Sequence, residues 1–224
     1  MSHEIQTPER IRIVEQMASV AKPFVARAEE IDRTASFPTE NWNDLKAAGL
    51  LGICVPTEHG GLGSDFVGYA LASEELGRHC ATTALTFNMH VATSLLVGQI
   101  ADDMDMEPAQ RQDNHARRAA LWQGVIDGHQ IHSQPFSEGM PDGKFATMAR
   151  KVDGGYRVSG RKIFASLSRA ADIHNIVCVS DADEELHLLG LPAGAEGIRI
   201  EGDWDPLGMR GTDSRNLVME DAVS

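Results

Sequence analysis

At 224 residues with 42% hydrophobic side chains, the chain is long enough for one or two domains with an ordinary core. Its formal net charge of −13 argues against a nucleic-acid-binding surface, which needs a basic patch. A small anion is not excluded, because a few local Lys, Arg or backbone N–H groups outweigh a distant negative surface.

The stretch Met1 to Arg12 is polar and has no apolar h-region, so no signal peptide is read. No run approaches the roughly 20 apolar residues that span a bilayer. A soluble, cytoplasmic protein is expected. The three cysteines, Cys54, Cys80 and Cys178, are scattered through apolar segments, as buried reduced thiols would be.

The first half reads as helices. Ile11, Val14, Ala18, Ala21, Val25, Ala28 and Ile31 form one apolar face, with Pro23 as a kink or first-turn residue. Pro38 opens a second helix whose apolar face is Trp42 and Leu45, and Gly49 is its expected C-cap. The glycines in His59-Gly60-Gly61-Leu62-Gly63 match neither Gly-x-Gly-x-x-Gly nor a Walker A spacing, so a plain turn is expected. Ser64 or Asp65 caps a third helix, Phe66 to His79. Thr82 to Ile100 is apolar almost all round and is read as a buried helix. Pro108 fits the first turn of a fifth helix, which runs to Asp127-Gly128.

After Gly128 the period changes to that of strands. Candidates are residues 130–137, 145–152, 156–159, 173–180, 186–191, 198–202 and 216–219, separated by turns such as Asp153-Gly154-Gly155. Short strands at this spacing indicate an antiparallel barrel or sandwich. The fold class is therefore α+β, an all-α domain over residues 1–126 followed by an all-β domain over 127–224.

His129 and His132 fall on opposite faces of a strand, and His90 on an apolar helix is expected to be a hydrogen-bonded core residue. With no His-Glu-x-x-His or Cys-x-x-Cys, no metal site is expected. Two runs end in an aromatic beside a small hydroxyl residue, Phe136-Ser137 and Phe164-Ala165-Ser166. Each offers a flat apolar face next to a hydrogen-bonding group, which suits a planar heterocycle. The plain alternative is barrel core and strand-edge serines.

Several ordered motifs resemble the acyl-CoA dehydrogenase family. These are Ala48 to Gly63, Glu74-Glu75-Leu76-Gly77, Gly155 to Ser166, and Leu207-Gly208-Met209-Arg210-Gly211-Thr212-Asp213-Ser214 through Asp221. The resemblance implies a helical N-terminal domain and a middle β-barrel. It further implies FAD as cofactor, with transfer of a hydride from the β-carbon of an acyl-CoA or related thioester to flavin N5, as in fatty-acid and lipid metabolism.

In that family a strand carrying Thr-Glu lies against the isoalloxazine. Counted from Asp127-Gly128 the dipeptide falls on Ser137-Glu138, which implies that Gln134, Phe136 and Ser137 line the flavin. The family's Trp-x-Thr corresponds to Phe164-Ala165-Ser166, with Phe164 covering the ring and Ser166 hydrogen-bonding near N5 or the ribityl chain. Leu85 and Met89 are implied for the acyl pocket wall, and Gly139 and Met140 for the loop that holds the pantetheine arm.

The resemblance has two departures. The loop Gly139 to Lys144 lacks the usual Gly-Ser-Asp and is shortened, and Phe stands for Trp at 164. Both are also seen in flavin monooxygenases on the same scaffold, which form the second reading; a non-catalytic partner subunit is the third. No residue matches the family's catalytic carboxylate. That group is expected from a C-terminal domain outside this sequence, through a longer frame, a complementing chain, or both within a homo-oligomer.

Overall fold

A computed structural model describes residues 6–139 and 144–224. Helix α1, Pro8–Ala21, starts where Thr7 accepts the Arg10 N–H through its side chain and Pro8 fills the first turn. Pro23 lies in a 3₁₀ turn, Lys22–Phe24, which passes the chain into α2, Val25–Thr34. Helix α3, Thr39–Ala47, follows Pro38, and Gly49 beyond it takes the left-handed conformation at φ 71°. Asn41, Trp42 and Leu45 face inward.

The glycine turn is a plain turn. The N–H groups of Gly60, Gly61, Leu62 and Gly63 are spent on the carbonyls of Thr57, Pro56, Gly52 and Val55. A Cβ on Gly61 would lie 2.1 Å from the Val55 oxygen, so the close approach requires glycine. Asp65 then caps α4, Phe66–His79, by accepting from the Gly68 N–H.

Helix α5, Ala81–Leu95, is the central buried element. Asn41 donates to Thr83 Oγ1 at 2.9 Å and Trp42 Nε1 donates to Thr86 Oγ1 at 3.2 Å, which fixes α3 against it. The expected helix to Ile100 is interrupted. A π-type turn, Leu96–Ile100, contains Gly98 with non-helical φ −100° and ψ −105°. The Trp122 ring packs at that glycine, where a Cβ would meet its Cζ2 at 3.0 Å. Helix α6, Pro108–Ile126, carries Trp122 and begins with a Glu107–Gln110 capping box.

The second part is one seven-stranded sheet curled into a half-barrel: β1 (His132–Ser133), β2 (Met148–Val152), β3 (Gly155–Ala165), β4 (Ile173–Ser180), β5 (Leu186–Pro192), β6 (Ile198–Glu201) and β7 (Arg215–Val223). The path is β1-β4-β2-β3-β7-β6, with β5 on β4. The sheet is mixed rather than wholly antiparallel, because β1 and β2 both run parallel to β4. Those pairs are joined by long connections, so no hairpin forces them to oppose. The Asp153-Gly154 hairpin between β2 and β3 does so, with Gly154 at φ 83°.

The strand expected over 130–137 is reduced to His132–Ser133, since Pro135 has no N–H to continue a ladder. The strand expected over 156–159 instead runs on to Ala165, bent by irregular register between Val158 and Gly160 and again between Lys162 and Ala165. The sheet's own apolar core includes Ile176, Leu191 and Leu217. The helical core takes in Ile131, Leu167 and Ala171 from the sheet-rich part, so the two layers meet beside α5. Among the described residues no helix is long and apolar enough to cross a membrane.

Candidate functional site

Two segments of strained backbone face each other where the half-barrel meets α5. Phe164 and Leu167 have φ of 53° and 66°, and Met209 and Asp213 have φ of 59° and 49°. None is glycine, and strain of this kind gathers at binding and catalytic sites. The segments are stitched together by the Leu167 N–H to Thr212 O at 3.0 Å and the Ser168 N–H to Asp213 O at 3.2 Å. The turn at 210–212 presses on the helices: a Cβ on Gly211 would lie 2.5 Å from Ser36 O and 3.0 Å from Thr82 Cγ2.

Asp213 is the electrostatic anchor. Its carboxylate accepts from Ser168 Oγ, from the Arg169 backbone and guanidinium, and from Arg215. Burial pushes its pKa up, but Arg169 and Arg215 outweigh it and hold the carboxyl below its usual range.

Phe164 projects from this frame and is 62% exposed, with the Trp204 ring edge-on at 6.0 Å. Trp204 is itself held by Nε1 donating to Met209 O at 3.2 Å. Ser166 lies beside Phe164, with its Oγ 2.8 Å from Ser214 Oγ. Ala165 between them is fully buried in the sheet core, backbone included.

Phe136 and Ser137 are brought to the same rim. The Ser137 carbonyl accepts from the Ile163 N–H at 2.7 Å, one residue from Phe164. Both are exposed, in an irregular segment rather than on a paired strand. Gly139 follows at φ 73°, against Ile163. Met140 lies outside the described residues.

Gln134 is buried against α5. Its Nε2 donates to Thr93 Oγ1 on α5 at 2.9 Å, and its Oε1 has no partner among the described residues. Leu85 and Met89 are half-buried on α5. With Thr82 and Thr93 they are three or four residues apart, so they share one helix face. That stripe runs from Thr82, 3.9 Å from Met209 Sδ, to Thr93 at Gln134.

Three features of this region go beyond the reading of the residues, which expected only His90 as a hydrogen-bonded core residue. Lys162 is fully buried and pairs with Glu138, which also accepts the N–H groups of Ala146 and Thr147. Glu138 is therefore committed to an ion pair. A polar seam joins α5 to the sheet: His90 donates from Nε2 to Leu51 O at 3.1 Å and accepts the His132 N–H at Nδ1 at 3.1 Å. Asn175 Nδ2, with two hydrogens to give, lies within hydrogen-bond distance of Ser133 O, His132 Nδ1 and Thr93 Oγ1. The third feature is the hydroxyl chain from Ser166 through Ser214 to Thr212. A charged residue inside a strand pattern and a run of hydroxyls after Gly211 were the available signals.

An exposed aromatic beside an exposed serine rim, a hydroxyl and an unpartnered buried amide oxygen suits a flat ring with polar edges. Among the described residues no group of three His, Cys, Asp or Glu is placed to hold a metal ion.

Comparison with known proteins agrees with this frame. The family description "Acyl-CoA dehydrogenase, N-terminal domain" matches residues 7–107, and "Acyl-CoA dehydrogenase, middle domain" matches residues 137–222. Mitochondrial isovaleryl-CoA dehydrogenase of Solanum tuberosum is 30% identical over 92% of this chain and 50% of its own length. Putative acyl-CoA dehydrogenase YdbM of Bacillus subtilis is 27% identical over 100% of this chain and 57% of its own. The chain thus spans about half the length of the curated relatives it matches. Among solved structures, KijD3 in complex with FMN and a dTDP-sugar superposes with TM-score 0.83 at 26% identity, covering 96% of this chain and 52% of that one. FMN-bound TdsC from Paenibacillus sp. A11-2 gives TM-score 0.80 at 25% identity, covering 95% and 52%.

Proposed function

Because the chain belongs to the acyl-CoA dehydrogenase family, we propose that it forms the flavin-side part of an FAD-dependent acyl-CoA dehydrogenase, with residues 1–126 and 127–224 as its two domains. The observation that carries this reading is the exposed Phe164 ring beside Ser166, on a backbone strained at both flanking segments. When bound, the flavin supplies the acceptor for two electrons and a hydrogen from the β-carbon of an acyl thioester.

The chain's own residues position and enclose. Phe164 and Phe136 offer apolar cover to the ring, while Ser137 and Ser166 offer polar contacts to its edge. The α5 stripe of Leu85 and Met89 forms the acyl wall, leading towards Gln134, and Gly139 flanks the thioester arm. Glu138 is neutralised by Lys162 and is not assigned to proton removal. No residue of this chain is assigned to that step. The reading includes acyl-CoA as substrate, an electron-carrying partner, a cytoplasmic location and a homo-oligomer or complementing chain.

One observation favours a second reading, a flavin monooxygenase: KijD3 and TdsC, at 25–26% identity, are solved with FMN. Titration of the purified natural protein with FAD and with FMN, followed by flavin fluorescence, separates the readings. Preferential retention of FAD is expected. Retention of FMN alone would favour the second reading, and retention of neither would remove both.

A further inference from the structure

The hydroxyl chain behind Phe164 has a direction, settled at its far end. Thr212 Oγ1 is 2.9 Å from the Met209 carbonyl oxygen, which can only accept, so the one Thr212 hydroxyl proton is committed there. Towards Ser214 Oγ, 2.6 Å away, Thr212 is then the acceptor and Ser214 the donor. Ser214 has spent its own proton, so Ser166, with Oγ at 2.8 Å, donates to Ser214. Thr212 and Ser214 are 1% and 5% exposed, which leaves little room for water to reverse the order. The Leu167 N–H bond to Thr212 O and the Ser168 N–H bond to Asp213 O hold the two segments in register on either side.

We propose that Ser214 and Thr212 are positioning residues that turn the Ser166 proton away from the ligand, so that Ser166 presents only lone pairs to the flavin edge. The proposal rests on the flavin reading above and adds a polarity to it. An acceptor at this place complements a ring N–H and opposes a bare ring nitrogen or carbonyl. Two-electron reduction of an isoalloxazine, with proton uptake, converts ring-nitrogen acceptors into N–H donors. The ordered chain therefore favours the reduced over the oxidised cofactor and raises the midpoint potential of the bound flavin.

The test titrates oxidised FAD, and FAD reduced with dithionite under anaerobic conditions, against the natural protein and its variants. In Ser214→Ala the Ser166 proton is free to turn outward and meet the oxidised ring. The ratio of oxidised to reduced dissociation constants should fall about five-fold, the equilibrium counterpart of one neutral hydrogen bond. The midpoint potential should fall with it. Ser214→Thr should restore the wild-type ratio, and in a Ser166→Ala background Ser214→Ala should change nothing further. If Ser214→Ala does not fold, Thr212→Val serves instead, since it lets Ser214 donate back to Ser166, and the same fall is expected. Equal weakening of both redox forms, or no change in the ratio, would mark a merely structural role and overturn the proposal. Retention of neither form by the wild-type protein would instead remove the flavin reading on which it stands.

Discussion

Lys162 and Glu138 form an ion pair inside the protein, with side chains 0% and 4% exposed. Lys162 Nζ also donates to Val177 O on β4 at 2.6 Å and stands 4.8 Å from the centroid of the Phe145 ring. One pair thus ties the segment after β1 to β3, β4 and the approach to β2, and with it the rim that carries Phe136 and Ser137. Burial alone would raise the Glu138 pKa, but hydrogen bonds from Lys162, Ala146 and Thr147 hold it below the usual carboxylate range.

Removing one partner strands the other charge. Lys162→Met is expected to destabilise the protein by about 3–5 kcal/mol, and the double variant Glu138→Gln/Lys162→Met to recover much of that. Chemical denaturation of both variants measures this. A double variant as unstable as the single one would mean that the pair contributes more than mutual neutralisation.

Acid should unfold the protein early. Burial depresses the His90 pKa to about 3, with the His132 charge adding to it, and burial depresses His132 and His174 to about 4. In the unfolded chain these imidazoles titrate near the ordinary value of 6.5, so unfolding takes up protons below that pH. Their contribution to stability is complete above pH 6.5 and is lost progressively as the pH falls towards 4. Each adds a slope of up to about 1.4 kcal/mol per pH unit. Denaturation midpoints at pH 7, 6 and 5 should fall steadily, and His174→Asn should remove one proton's worth of the slope. A flat profile from pH 7 to 5 would contradict the buried neutral seam.

Phe164→Ala separates binding from folding. Because the ring is 62% exposed, folding stability should change by less than about 0.5 kcal/mol. Flavin retention should weaken by a factor equivalent to about 0.5–1.5 kcal/mol beyond the area lost. Parallel thermal melts and flavin titrations read the two effects. Weakened folding with unchanged flavin affinity would place the ring in a structural role.

Most helices were legible because their ends are punctuated locally: Gly49, Asp65 and Pro108 each sit where the chain starts or stops turning, whereas the Thr7-Pro8 start of α1 was not read. Strand β4 was legible over its full length, and the continuation of β3 to Ala165 was not, because its bulges break the alternation. The short β1 escaped for a different reason. Apolar and polar residues from 130 to 137 suggest a strand, but Pro135 interrupts the ladder and Ser137 bonds across to Ile163.

An aromatic beside a hydroxyl is a local pattern, so Phe136-Ser137 and Phe164 to Ser166 could be proposed as rim residues from the sequence. What orders them could not. Lys162 finds Glu138 across 24 positions, and Ser166 finds Ser214 across 48. Such pairings exist only once the sheet has formed. Gln134 illustrates the limit: the family pattern implies it at the flavin, but no local pattern announces that its Nε2 donates to Thr93 on α5 while its Oε1 keeps no partner among the described residues.

The most direct measurement is an anaerobic titration of the flavin-loaded natural protein with acyl-CoA, followed by the oxidised flavin absorbance near 450 nm. If the rim around Phe164 and Ser166 serves dehydrogenation, an acyl-CoA of suitable chain length should bleach the flavin without oxygen or added reductant. A flavin that stays fully oxidised across a range of acyl chain lengths would contradict that claim.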